Sequence, residues 1–216
     1  MNEQEVAGWH VRSTNLAENS HFYKNAFLEF RFIEEDLPDG PVLDVGCGLG
    51  FESAYFAKSG RQVIALDSEE SLLKKVAAMS DNITPVLSNM PDGEIPAQNY
   101  ALCIISNLMH FMRLEDNLKL CHRVSEVVKP GGCIAVRMHS TEHPYADVQH
   151  PKNKKIAHFF NKEEMESLFD SNKFTCLYLS HCTRDLNQQE VKLFGYSAGQ
   201  DYQKSSYSML VRKNKL

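Results

Sequence analysis

Short apolar runs alternate with amphipathic stretches along most of this chain. The first run is Val42-Leu43-Asp44-Val45, set off upstream by the turn signal Leu37-Pro38-Asp39-Gly40-Pro41. Similar runs cover residues 62–66, 82–87, 100–105, 133–138, 174–179 and 206–211, and each is short enough for a strand. The run over 100–105 is nearly all apolar, the pattern of a parallel strand buried on both faces.

The stretches between these runs have helical spacing. Residues 51–58 lead to Ser59-Gly60, and Ser68 stands as a candidate cap before Ser71, Leu72, Val76 and Met79. Leu114, Leu118, Cys121, Val124 and Val128 form a stripe that stops at Lys129-Pro130-Gly131-Gly132. Asn161 followed by Glu164 is a capping-box pattern. Upstream, Phe22, Ala26, Phe27 and Phe30 predict a helix over 18–33. The alternation predicts one α/β domain with a doubly wound, seven-stranded sheet, mostly parallel, with helices on both faces. Residues 139–160 are polar, with Pro144, Pro151 and a basic cluster at Lys152, Lys154 and Lys155, and are expected to form a surface excursion.

Composition narrows the function classes. A chain of 216 residues, 43% hydrophobic and 24% charged, can bury one good core. A net charge of -5 gives no general attraction to nucleic acid or an anionic membrane. No apolar run has the length of a membrane span, and the start lacks the pattern of a secretory signal. The six cysteines include no C-x-x-C pair, and Cys47, Cys103, Cys121 and Cys133 fall in apolar patterns. Reduced, buried thiols in a cytoplasmic protein are expected, not a disulfide scaffold.

The densest chemistry lies at residues 44–50, Asp-Val-Gly-Cys-Gly-Leu-Gly, where a strand runs through three alternating glycines into a helix. Glycine lets the main chain take left-handed angles and lets a ligand touch it. Free N–H groups at the helix start suit an electron-rich group. Asp67 ends the next apolar run, twenty-one residues after Gly46, where a ribose-binding carboxylate belongs. A dinucleotide site would have G-x-G-x-x-G, but Phe51 stands where the third glycine would be.

This G-x-G-x-G loop, preceded by Asp44 and followed by Asp67 and the Lys-Pro-Gly-Gly turn, resembles the class I S-adenosylmethionine-dependent methyltransferases, the Rossmann-like family. The resemblance covers about residues 40–180 and, more weakly, the run at 206–211. It implies an antiparallel last strand and S-adenosylmethionine as cofactor. It places Asp44, Gly46, Cys47, Gly48 and Gly50 at the methionine end of the cofactor, Asp67 and Ser68 at the ribose, Asn89 and Met90 beside the adenine, and Asn107 against the cofactor past the fourth run. Relatives often have an acidic residue near the adenine and another entering the fourth strand; here Asn89 and Asp92, and Asn99-Tyr100-Ala101, stand there.

Methyl transfer needs alignment and dryness more than a catalytic triad. Acceptor-side candidates are His110 just past the fourth run, Arg137 interrupting the fifth, His139 and His143 after it, and Tyr23 with Trp9, His10, Arg12 and His21 upstream. The resemblance makes residues 1–35 a helical lid over a domain spanning 36–216. Arg137 can bind a carboxylate or oxyanion with two hydrogen bonds. His110, His139 and His143 lack the spacing of a metal motif, so no metal is expected. Ser106-Asn107-Leu108-Met109 replaces the Asn/Asp-Pro-Pro-Tyr motif of relatives that methylate nucleobase or glutamine amino groups. The expected function is methyl transfer to a small-molecule acceptor. The alternatives are a non-catalytic cofactor-binding module or a protein or RNA methyltransferase; an NAD-dependent oxidoreductase is disfavoured by Phe51.

Overall fold

The computed structural model describes residues 33–149, 153–185 and 203–215. The predicted helix over 18–33 and the lid over 1–35 fall almost wholly outside them, as does Tyr23.

The described chain alternates strands and helices. β1 (Val42–Val45) leads to α1 (Phe51–Lys58), β2 (Val63–Asp67) to α2 (Glu70–Ala77), and β3 (Ile83–Leu87) to β4 (Tyr100–Ser106). A 3-10 turn at Met109–Phe111 precedes α3 (Leu114–Val127), which runs straight into β5 (Val128–His139). α4 (Lys162–Ser167), β6 (Phe174–Asp185) and β7 (Gln203–Lys213) complete the described fold. The strands form one sheet in the order β3-β2-β1-β4-β5-β7-β6. All neighbours through β5 are parallel, and β7 is antiparallel to both β5 and β6. The order reverses between β1 and β4, so their carboxyl ends flank a crevice where ligands bind in such sheets.

Side-chain alternation explains the two-sided core. Leu43, Val45, Ile64, Leu66, Cys103 and Ile105 face one layer, packed against Leu120, Cys121 and Val124 of α3 and Met165 of α4. Val42, Val63, Ala65, Leu102 and Ile104 face the other, packed against Phe56 of α1 and Leu73 and Val76 of α2. Helices therefore cover both faces, as the alternation predicts. Cys47, Cys103, Cys121 and Cys133 are buried, and all six cysteines are free thiols. No helix among the described residues is long and apolar enough to cross a membrane.

Several local expectations are corrected. The residue preceding α2 is Glu69, and no side chain caps that helix, so Ser68 is not its cap. Glu69 N–H is held instead by Asp67 Oδ1 at 3.0 Å. The α3 stripe is rotated from the expected one: Leu118 is 42% exposed, whereas Asn117 is fully buried. Asn117 Nδ2 donates to the carbonyls of Met109 (2.9 Å) and Met112 (3.2 Å), so an amide satisfies the end of the preceding turn at the core position. The capping box at Asn161 and Glu164 forms in both directions. β6 and β7 are longer than their apolar runs, because they pair with each other along their polar ends as well.

Lys129-Pro130-Gly131-Gly132 is a bulge inside β5, not a turn before it. Val128 lies opposite Tyr100, and Cys133 opposite Leu102, so extra residues on β5 are looped out between them. Gly131 has φ +77°. A Cβ on Gly132 would stand 3.0 Å from the carbonyl oxygens of Ala101, Lys129 and Tyr100, all backbone atoms that cannot move aside. Gly132→Ala is therefore expected to destabilise the fold by about 2 kcal/mol, measurable as a lower urea midpoint with unchanged slope; an unchanged midpoint would show that the bulge is pliable.

Candidate functional site

The glycine loop closes the carboxyl end of β1 with three left-handed residues. Gly46, Gly48 and Gly50 have φ of +69°, +54° and +71°. At Gly46 an added Cβ would reach Leu108 Cδ2 at 2.9 Å, and at Gly50 it would reach Val76 Cγ2 at 2.7 Å. The loop therefore threads between the segment after β4 and the packed side of α2, where only glycine fits. Cys47 N–H donates to Leu66 O, and Gly50 N–H to Cys47 O, both at 2.8 Å. The Cys47 side chain is buried in the core, and burial pushes its thiol well above the ordinary range. Its contribution at the loop surface is thus main chain, not sulfur.

Asp67 ties two loops together. Its Oδ2 accepts from Gly48 N–H at 2.8 Å while its Oδ1 accepts from Glu69 N–H. Its own carbonyl accepts from Ser88 N–H at 2.8 Å, which brings the loop after β3 alongside. In that loop Asn89 is exposed and Met90 packs partly into the core. Ser68 is exposed beside Asp67. Beyond β4, Asn107 is exposed at φ +56°, the one non-glycine residue with positive φ among the described residues. Its N–H donates to Arg137 O at 2.8 Å, which pins this strained residue to β5.

Asp44 sits beneath the loop on the α1 side of the sheet and is 2% exposed. Ser53 Oγ, in the first turns of α1, donates to its Oδ2 at 2.6 Å. Burial, then the nearby charge of Glu52, pushes the Asp44 carboxyl up to about 8. Nothing local in the sequence marks Ser53, since a serine nine residues past an aspartate has no signature of its own.

On the other side of the crevice three histidines come together from separate segments. The His110 and His139 rings stack at 3.9 Å with 20° between planes, and His143 covers the next face of His139 at 4.0 Å. Phe111 lies against His110 at 4.2 Å, and Tyr145 against His143 at 4.4 Å. The segment after β5 folds back here: Ala157 N–H and His158 N–H donate to His110 O, and Phe160 N–H to His139 O. Burial pushes His110 down to about 3 and His139 well below the usual imidazole range, with neighbouring histidines and Lys204 adding to the effect. No cluster of ligating side chains suited to a metal ion occurs among the described residues. Arg137 lies on β5 opposite Ser106, half-buried, with Nε 3.3 Å from Ser208 Oγ. A separate groove of about 360 Å³ lies at the opposite strand ends, lined by residues such as His122, Pro130 and Lys213.

Residues 42–132 match the family model of a methyltransferase domain. Sequence relatives include a carboxy-S-adenosyl-L-methionine synthase of Erwinia tasmaniensis, 27% identical over 50% of this chain and 46% of that protein. An N-demethylindolmycin N-methyltransferase of Streptomyces griseus is 28% identical over 44% of this chain and 43% of its own length. The chain thus spans less than half the length of these relatives. Among solved structures, TehB of Haemophilus influenzae aligns with TM-score 0.68 at 19% identity, over 88% of this chain and 62% of that one. A TehB-like methyltransferase of Corynebacterium glutamicum aligns with TM-score 0.68 at 15% identity, over 99% and 100%. These likenesses are of fold: the mostly parallel, seven-stranded Rossmann-like sheet described above.

The buried Asp44 gives stability a defined pH dependence. Between its ordinary pKa of 3.8 and about 8, the folded state keeps a proton that the unfolded chain has lost, so this group's contribution worsens as pH rises. Asp44→Asn, which keeps an oxygen for Ser53 without the charge, is expected to gain stability over the wild type as pH rises from 4 to 8. Denaturant titrations of both proteins across that range check it; a pH-independent difference would mean that Asp44 is ionised in the fold.

Proposed function

We propose that this protein transfers a methyl group from S-adenosylmethionine to a small-molecule acceptor. The observation that carries the reading is the left-handed glycine loop bound by Asp67 above the buried, desolvated Asp44. A carboxyl pushed that far up calls for a cation, and S-adenosylmethionine carries a sulfonium and an ammonium. The residues thus fit the cofactor. Gly46, Gly48 and Gly50, with the Cys47 main chain and Asp44, would hold its methionine end. Asp67 and Ser68 would take the ribose, Asn89 and Met90 the adenine, and Asn107 would line the crevice beyond β4.

When bound, the cofactor supplies a methyl carbon activated by its positively charged sulfur. The chain has only to hold the acceptor atom in line and keep water out. His110, Arg137 and His139 are the acceptor-side residues in this reading; Tyr23 and the lid role of residues 1–35 belong to it as well. With His110 pushed down to about 3, a neutral imidazole that accepts or donates a hydrogen bond suits it better than a general base working at neutral pH. Relatives named for small-molecule methylation support this acceptor class. We also place the protein in the cytoplasm, because its six cysteines are free thiols, the state a reducing compartment maintains.

Calorimetric titration with S-adenosylmethionine, S-adenosylhomocysteine and NAD tests the cofactor class. The first two are expected to bind and NAD is not; the reverse would overturn the reading. Gly48→Val puts a branched side chain at φ +54° and is expected to abolish binding of both adenosyl ligands while the fold persists. Asp67→Ala removes a charged hydrogen-bonding group and is expected to weaken binding roughly tenfold or more. Wild-type affinity in either variant would place the cofactor elsewhere.

A further inference from the structure

The histidine stack has a feature that packing leaves unexplained. The Nδ1 atoms of His110 and His139 are both buried and have no hydrogen-bond partner among the described residues. His110 is 2% exposed and His139 9%. His143 differs, because its Nδ1 accepts from Tyr145 N–H at 3.1 Å. A buried polar atom without a partner destabilises a fold, so native structures keep few of them. Two on stacked neighbours, at the carboxyl ends of β4 and β5, lie where a sheet of this order places its ligands.

The stack restricts what can meet these atoms. His110 is covered by His139 on one side and approached by Phe111, while His139 is stacked between His110 and His143. Only the ring edges are left for a partner. Both rings are neutral, so each has one N–H and one bare lone pair. The nearby fixed charges bearing on the stack come from Lys204, and Arg137 stands two residues before His139. A cationic partner is disfavoured there. Where Nδ1 carries the lone pair, the partner must donate a hydrogen bond to it, which a thioether or a carboxylate cannot do.

We infer that the orphaned Nδ1 atoms of His110 and His139 are the recognition element for the methyl acceptor, and that the acceptor is an uncharged small molecule presenting a hydroxyl or a neutral amine as the atom to be methylated. This rests on the methyl-transfer reading above. The acceptor's X–H bond is fixed by an imidazole lone pair, which also fixes the direction of the lone pair on X that attacks. As the X–C bond forms, the C–S bond breaks and its electrons stay on sulfur, which becomes a neutral thioether. The X–H proton then leaves to water. His110 and His139 orient the nucleophile without keeping the proton.

The test compares the full-length wild type with His139→Phe, His139→Leu and His139→Asn, and with the same changes at His110. Phe and Leu remove the nitrogen, whereas the Asn amide supplies a donor and an acceptor near the Nδ1 position. Three quantities are read: affinity for S-adenosylmethionine by calorimetry, melting temperature without ligand, and initial rates of labelled methyl transfer. The acceptor panel holds phenols, aliphatic alcohols, anilines, carboxylic acids and thiols. All variants are expected to bind the cofactor within about threefold of the wild type. At least one of the Phe and Leu variants at each site is expected to melt higher, since the unpaired nitrogen is gone. The Phe and Leu variants lose at least tenfold in kcat/KM for hydroxyl or aniline acceptors, mainly through KM, and Asn restores most of it. The inference is overturned if carboxylates or thiols are the preferred acceptors, if no panel member is methylated by cofactor-bound wild type, or if Phe and Leu lower the melting temperature and leave the acceptor profile unchanged. Failure of the wild type to bind S-adenosylmethionine shows in the calorimetry alone and overturns the methyl-transfer reading itself.

Discussion

The Asp67 carboxylate is the contact on which the rest of the crevice depends. One oxygen holds Gly48 N–H and the other Glu69 N–H, so a single side chain fixes the loops after β1 and β2. Main-chain bonds carry the same registration outward. Cys47 N–H meets Leu66 O, Ser88 N–H meets Asp67 O, and Asn107 N–H meets Arg137 O. Each bond extends a strand pairing by a step past the sheet. The loops therefore inherit the order of the strands beneath them, and a ligand would meet a preformed surface with little left to organise.

That surface is electrically divided. On the β1–β2 side stand Asp44, Glu52 and Asp67, with Asp44 so short of solvation that it retains a proton. On the β4–β5 side stand neutral imidazoles with Lys204 nearby. A cationic donor and an uncharged or electron-rich nucleophile would sort themselves to opposite sides of such a crevice. The arrangement has a structural cost: a desolvated carboxyl and two unpartnered nitrogens are features that a fold selected for stability alone would replace. Their presence at the carboxyl ends of β1, β4 and β5 agrees with the general trade between stability and function.

Much of the fold was legible because its signals are local. Strand positions follow from apolar runs, the loop at 46–50 from glycine spacing, and the start of α4 from Asn161 and Glu164. The ends of elements were less legible. β6 and β7 continue past their apolar runs because each supplies the other's hydrogen bonds, and pairing does not depend on side-chain polarity. The β5 bulge follows from main-chain crowding at Gly132 that only the neighbouring strand reveals. Asn117 could be read as polar and hence exposed, yet it is buried because two carbonyls of an adjacent turn need a donor. Within the crevice, the histidines could be named from the sequence but their stacking could not, since His110 and His139 come from different strand ends.

The same turn links these two kinds of illegible feature. Asn117 holds the carbonyls of Met109 and Met112, and the His110 carbonyl accepts from Ala157 and His158. The residue that displaces the expected apolar stripe of α3 is therefore the one that fixes the turn bearing His110. An apolar side chain at position 117 would pack against the core and leave Met109 O and Met112 O without a donor. The polar exception in the helix and the histidine edge in the crevice are thus parts of one arrangement. Its logic lies in backbone hydrogen bonds that cross between elements, which hydrophobic periodicity does not record.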